Sequence, residues 1–295
     1  RGEGKPTSPL DDEAWSLLRA SGGDPVIEAI LEAVAPAAVA VRIAALRAEK
    51  KLFPLDPSHR QPPDSTAMLV RTFGLAAQIL RVTPPDLYAQ DDQTAALGGE
   101  LAAVAAPQPS TLFGPSLTGG RKVPELMFLA ARHLTYYRPQ YYPLIFYPTL
   151  PELTLLVLAA IKLARPELPL PDHPGSAALR RELLTHADEA HRVSIAVAVE
   201  RLDVRGGKLD LAAWLHGVEL TANRAGLLLA GDLAAALRVL DHEKRTVAEL
   251  TFEDRRADLL GFTVSRQLAE LRMRIGVAAR ASLPPPPPSQ QQLPG

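Results

Sequence analysis

The chain has 295 residues, 47% of them hydrophobic and 22% charged, with a formal net charge of -1. This is globular composition, enough for one large domain or two ordinary ones. It excludes a bulk electrostatic pull toward nucleic acid or anionic lipid. The absence of cysteine excludes a disulfide framework, a thiolate metal site and a cysteine nucleophile within these residues, and a cytoplasmic location is expected. The first residue is Arg1 rather than Met, as expected for a fragment or a processed product.

Residues 1–10 are polar and rich in helix breakers, which predicts a linker. N-terminal helices are predicted over 11–52. Asp11, Asp12 and Glu13 precede Trp15, Leu17 and Leu18, placing acids in a first helical turn. Asp24-Pro25 reads as a cap followed by a first-turn proline, with Ile27, Ile30, Leu31 and Val34 at helical spacing behind it. Pro36 is predicted to start another helix carrying Val39, Ile43 and Leu46. After a proline-rich loop, the main domain is predicted over 64–280. It opens with a helix whose Met68, Leu69, Phe73, Ala76, Ile79 and Leu80 share a face. From Leu87 to Leu117 the texture shortens to two to four small strands.

Helices resume at Lys122 and are predicted over roughly 150–165, 176–204, 208–231 and 252–275. The apolar run from Leu153 to Leu163 falls short of the about 20 residues that a membrane span needs, so no span is expected there. The polyproline and glutamine segment 283–295 reads as an uncored tail. Helices, a small sheet, then helices: the order predicts a mostly helical α+β fold.

Common catalytic signatures are missing. There is no G-x-S-x-G elbow and no G-x-G-x-x-G. Gly114 to Gly119 has phosphate-loop spacing, but Gly120-Arg121 stands where Lys-Ser/Thr is required. His186 and His191 are five apart and face away from each other on a helix. The short basic runs Arg121-Lys122, Arg180-Arg181 and Arg255-Arg256 read as solvated helix ends.

Two segments are more informative. Residues 218–232, VELTANRAGLLLAGD, carry Glu219, Asn223, the intact run Arg224-Ala225-Gly226-Leu227-Leu228, and Asp232. Residues 124–140, PELMFLAARHLTYYRPQ, carry Glu125, Leu126, Phe128 and Leu134. The first resembles the third-ligand helix of zinc metallopeptidases of the HtpX and CAAX-prenyl-protease family, with Asn223 at that family's Asp. The second resembles the family's catalytic helix with its functional positions changed. Arg132 stands at the first ligand histidine, His133 at the catalytic glutamate and Tyr136 at the second ligand histidine. Such helices bind zinc because histidines at i and i+4 share a face, with a base between them. A guanidinium cannot ligate zinc, and a phenol is a poor substitute for imidazole.

The resemblance covers roughly 65–240. It implies a zincin-like fold with a degenerate site of Arg132, His133, Tyr136, Glu219 and Asn223, and hence no catalytic residue, no metal ligand and no cofactor. It also implies a non-catalytic protein-interaction or scaffold domain, of the bacterial type found behind tetratricopeptide-like arrays. Arg132 and Glu219, at positions that both reach one metal in the family, are expected to pair.

Two alternatives stand beside this reading. One is an active metal-dependent hydrolase with a rearranged site of His133, His216 and Glu219. The other is a purely structural helical scaffold. The tyrosine cluster reads first as a core-lining turn. The functional alternative is a surface for a protein partner formed by Tyr137, Tyr141, Tyr142 and Tyr147.

Overall fold

The computed structural model describes residues 6–90, 100–169, 173–204, 208–243 and 247–277. The expected tail at 283–295, Gly206-Gly207 and part of the strand region lie outside them. The described residues form twelve α-helices and one three-stranded sheet.

Helix α1 (Asp12–Leu18) starts where its sequence predicts: the Asp11 side chain accepts from the Ala14 N–H at 2.7 Å. Asp24 caps α2 (Pro25–Ala48) in the same way, with proline in the first turn. The expected break at Pro36 does not occur, and α2 runs through it. An interior proline costs about 3 kcal/mol. Here Ile27, Ile30, Leu31 and Val34 before it, and Ala37, Ala38 and Val41 after it, are all buried, so one continuous apolar face opposes that cost. By length and composition alone α2 could cross a membrane. In this fold it lines a core, and its Glu28 and Arg42 are ion-paired to Arg19 and Glu152.

The linker reading fails for residues 6–10. Thr7 donates its N–H to Ile275 at 2.9 Å and Leu10 to Ile79 at 2.7 Å, and the Leu10 side chain is buried. Helix α3 (Met68–Leu80) leads into β1 (Asp86–Ala89), followed by β2 (Leu101–Val104) and β3 (Ser110–Phe113). The strand order is β1-β3-β2, with β3 parallel to β1 and antiparallel to β2. All four residues of the central strand β3 are buried.

Helix α4 (Val123–Thr135) follows, then the single turn α5 (Pro143–Phe146), α6 (Leu150–Ala164), α7 (Pro174–His186), α8 (Glu189–Val204), α9 (Leu211–Ala230), α10 (Leu233–His242), α11 (Phe252–Thr263) and α12 (Arg266–Arg274). Two predicted long helices are each split. Asp188 turns its carboxylate to the His191 N–H ahead of α8, and Ser265 caps α12 through the Leu268 N–H. The sequence reading also missed α10. Its start is marked by adjacent signals: Gly231 ends α9 in the left-handed region at φ +64°, and Asp232 then caps α10 through the Ala235 N–H.

Two large apolar cores result, with a smaller cluster of Tyr88, Val104, Ala106 and Leu112 around the sheet. One gathers α1, α3, α4, α10, α11, α12, the sheet and the C-terminal half of α9. The other gathers α2, α5 to α8 and the N-terminal half of α9, including Trp214 and Val218. The helices α1 and α2 are therefore built into these cores. Between the two sets of apolar residues on α9 lie the buried polar residues Glu219 and Asn223.

Candidate functional site

Helices α4 and α9 are brought together by a missing side chain. A Cβ on Gly226 would lie 2.7 Å from a ring carbon of Phe128 and 2.9 Å from the Phe128 carbonyl oxygen. With Gly226 against Phe128 and Glu219 against Arg132, the two helices run antiparallel. That close approach carries Arg132 and Glu219 into the seam between the cores.

Arg132 and Glu219 face each other, with Nη2 3.7 Å from Oε1. This is ion-pair reach without a hydrogen bond. The hydrogen-bonded partner of Arg132 is instead Glu243, just past α10, which accepts from Nη1 at 2.6 Å. Arg255 on α11 donates to the other oxygen of Glu243 and lies 3.8 Å from Glu219 Oε1. Glu219 Oε2 accepts the Ala248 N–H at 2.8 Å. Two guanidinium groups and two carboxylates thus form a cluster of zero formal charge. Arg255, read from sequence as a solvated helix end, is 2% exposed and belongs to this cluster. Neither Arg255 nor Glu243 has a spacing relation to α4 or α9 that would have revealed it.

Burial dominates the electrostatics. It pushes the Glu219 carboxyl above the usual carboxylate range, against the opposing pull of Arg132, the Ala248 N–H and Arg255. It also pulls on Arg132, but Glu243, Tyr136 and Glu219 hold that guanidinium above its ordinary value. Burial and then the Glu219 charge raise the Tyr136 phenol. Among the described residues the Tyr136 hydroxyl and both amide atoms of the fully buried Asn223 have no hydrogen-bond partner.

His133 does not join the cluster, contrary to its place in the expected degenerate site. Its Nε2 lies 2.9 Å from Thr111 Oγ1 on β3, and that hydroxyl is 2.7 Å from the Tyr137 hydroxyl, which donates to the Ser110 carbonyl. Being next to Arg132 in sequence turns it about a quarter of a helical turn away, toward the sheet. Burial, and then the Arg132 charge, lower its pKa to about 3.

A base with a depressed folded pKa is neutral in the fold and takes up a proton on unfolding. Its stabilising contribution is complete above the unfolded value of about 6.5 and is lost as pH falls from there toward about 3. His133→Gln is therefore expected to flatten the acid limb of the stability profile below pH about 6.5. At most about 1.4 kcal/mol per pH unit is at stake. Urea unfolding across that range checks it. An unchanged acid limb would show that His133 is not held neutral.

The rearranged metal set is not assembled. His133 faces the sheet, His216 is exposed on α9 and Glu219 is enclosed by arginines. Among the described residues no three His, Asp or Glu side chains are grouped so as to hold a metal ion.

The proposed tyrosine surface is also corrected. Tyr137, Tyr141 and Tyr147 are buried, and Tyr142 is half-buried between Tyr137 and Phe146. The hydroxyls of the three buried tyrosines are satisfied internally: Tyr137 donates to the Ser110 carbonyl, Tyr141 to Glu28 at 3.0 Å and Tyr147 to the Ala38 carbonyl at 2.9 Å.

The residues around Gly226 are tied into the fold as well. Arg224 forks onto Asp258 of α11 at 2.9 and 2.5 Å, donates to the Arg19 carbonyl and lies over the Phe262 ring. Comparison of the chain with protein-family models, with curated proteins and with solved structures finds no match.

Proposed function

We propose that the chain is a non-catalytic, zincin-like domain of the metallopeptidase type, in which a buried ion cluster occupies the place of the metal. It serves as a cytoplasmic protein-interaction or scaffold module. One observation carries this reading. Arg132 stands where the resemblance puts a ligand histidine and Glu219 where it puts the third ligand, and they meet with opposite charge across α4 and α9. The cluster supplies no open coordination position and no base poised on a water. Its guanidinium groups are fixed by carboxylates, and His133 is turned to the sheet.

Elemental analysis after dialysis tests the proposal. Zinc far below one per chain, and no peptide hydrolysis on zinc addition, are the expected results. Zinc near one per chain would refute it. The second reading, a helical scaffold without peptidase ancestry, is favoured by Gly226 and Arg224, whose packing roles need no such ancestry.

A further inference from the structure

Exposed apolar side chains are ordinary on a folded chain when they are scattered singly. Helix α11 departs from that pattern. Its buried side, Arg255, Leu259 and Phe262, faces the rest of the fold. On the opposite side Leu260 is 43% and Val264 87% exposed, one helical turn apart, and Ala257 and Gly261 are exposed beside them.

Gly261 sharpens the contrast. A glycine inside a helix is destabilising relative to alanine. A Cβ at Gly261 would meet nothing within 4 Å, so no contact among the described residues calls for its absence. What glycine gains at such a position is close approach by another backbone. Val193 and Val197 on α8 are a second exposed pair one turn apart, but no glycine stands between them and the acids Glu189 and Glu200 border them.

We infer that this face of α11 docks a second copy of the chain, helix against helix and antiparallel, about a two-fold axis near Leu260 and Gly261. Such an arrangement is self-complementary. Leu260 meets its equivalent at the axis, Gly261 lets the helices close, and Ala257 of each copy lies against Val264 of the other. The two ends of the face also carry opposite charges. Glu253 and Asp254 are exposed in the first turn of α11. Arg266, just past Val264, is exposed and makes no ion pair among the described residues. Antiparallel docking lays the acidic end of each copy against the Arg266 end of the other, whereas a parallel pair would set like charges together. One helix face is small beside the about 800 Å² per partner of a standard interface, so the dimer is weak and depends on concentration. The inference does not rest on the metallopeptidase reading.

Sedimentation velocity of the full chain from about 10 µM to about 1 mM tests it. A shift from monomer to dimer is expected across that range. Val264→Glu, at a side chain almost wholly exposed in the single chain, should abolish the shift. Gly261→Ala gives readouts of opposite sign. The melting midpoint at low concentration rises, because the helix gains without a clash, while the dimer weakens about tenfold. Glu253→Arg weakens the dimer, and Arg266→Glu added to the same chain restores it. A chain that stays monomeric throughout leaves the face to a different partner and overturns the inference. So does a dimer indifferent to Val264→Glu, tightened by Gly261→Ala, or not restored by the charge exchange.

Discussion

Arg132→Ala is expected to destabilise the domain by about 3–5 kcal/mol. The reason is the charge left behind. Glu219 is fully buried, and without Arg132 its remaining cation among the described residues is Arg255 at 3.8 Å, already hydrogen-bonded to Glu243. The fully buried Glu219 and the partly exposed Glu243 would then share one guanidinium. Glu219→Ala is expected to cost less than Arg132→Ala, because Arg132 keeps its 2.6 Å bond to Glu243 and the main loss is the acceptor of the Ala248 N–H. The double variant restores neutrality, with Arg255 and Glu243 still paired, so its cost should fall well short of the sum. Chemical denaturation of the four proteins measures the coupling.

The pH dependence has a defined sign. Glu219 has a raised folded pKa, so it binds its proton more tightly in the fold than in the unfolded chain. Stability from this group is present below the unfolded carboxyl value and is lost as pH rises through the raised one. Arg132→Ala removes an opposing pull and should carry that loss to higher pH. Additive single costs would show that the two side chains do not interact.

Gly226→Ala is expected to cost about 1–3 kcal/mol or more, because overpacking a core forces the neighbours aside. The added methyl would meet the Phe128 ring at 2.7 Å and the Phe128 carbonyl oxygen at 2.9 Å. Phe128 is fully buried, so the ring has no open side to move into. Phe128→Leu in the same chain should recover only part of the loss, since the carbonyl contact remains. Thermal unfolding reads both. A Gly226→Ala variant as stable as the wild type would mean that α4 and α9 do not approach so closely.

Local signals in the sequence were readable where a short-range rule governs. The acidic start of α1, the cap at Asp24, the small sheet and the bodies of α3, α4, α6 and α9 follow from spacing and capping chemistry. Pro36 misled because its cost is local whereas the burial opposing it is tertiary. The split helices were missed because Asp188 and Ser265 are ordinary polar residues until their side chains are seen capping. In the site, the meeting of α4 and α9 was expected from the resemblance. Glu243 and Arg255 were not, since they come from later elements whose approach depends on the whole fold. The tyrosines were readable as core by composition, but which hydroxyl finds which carbonyl was not.

The metal-site remnant proposed on α4 and α9 can be rebuilt. The most direct test is to rebuild it with Arg132→His and Tyr136→His, which put two imidazoles at i and i+4 opposite Glu219. Zinc bound is then measured by equilibrium dialysis, with circular dichroism confirming that the variant is folded. Uptake near one zinc per chain is expected, lost again when Glu219→Ala is added. A folded rebuilt variant that takes up no more zinc than the wild-type chain would contradict it.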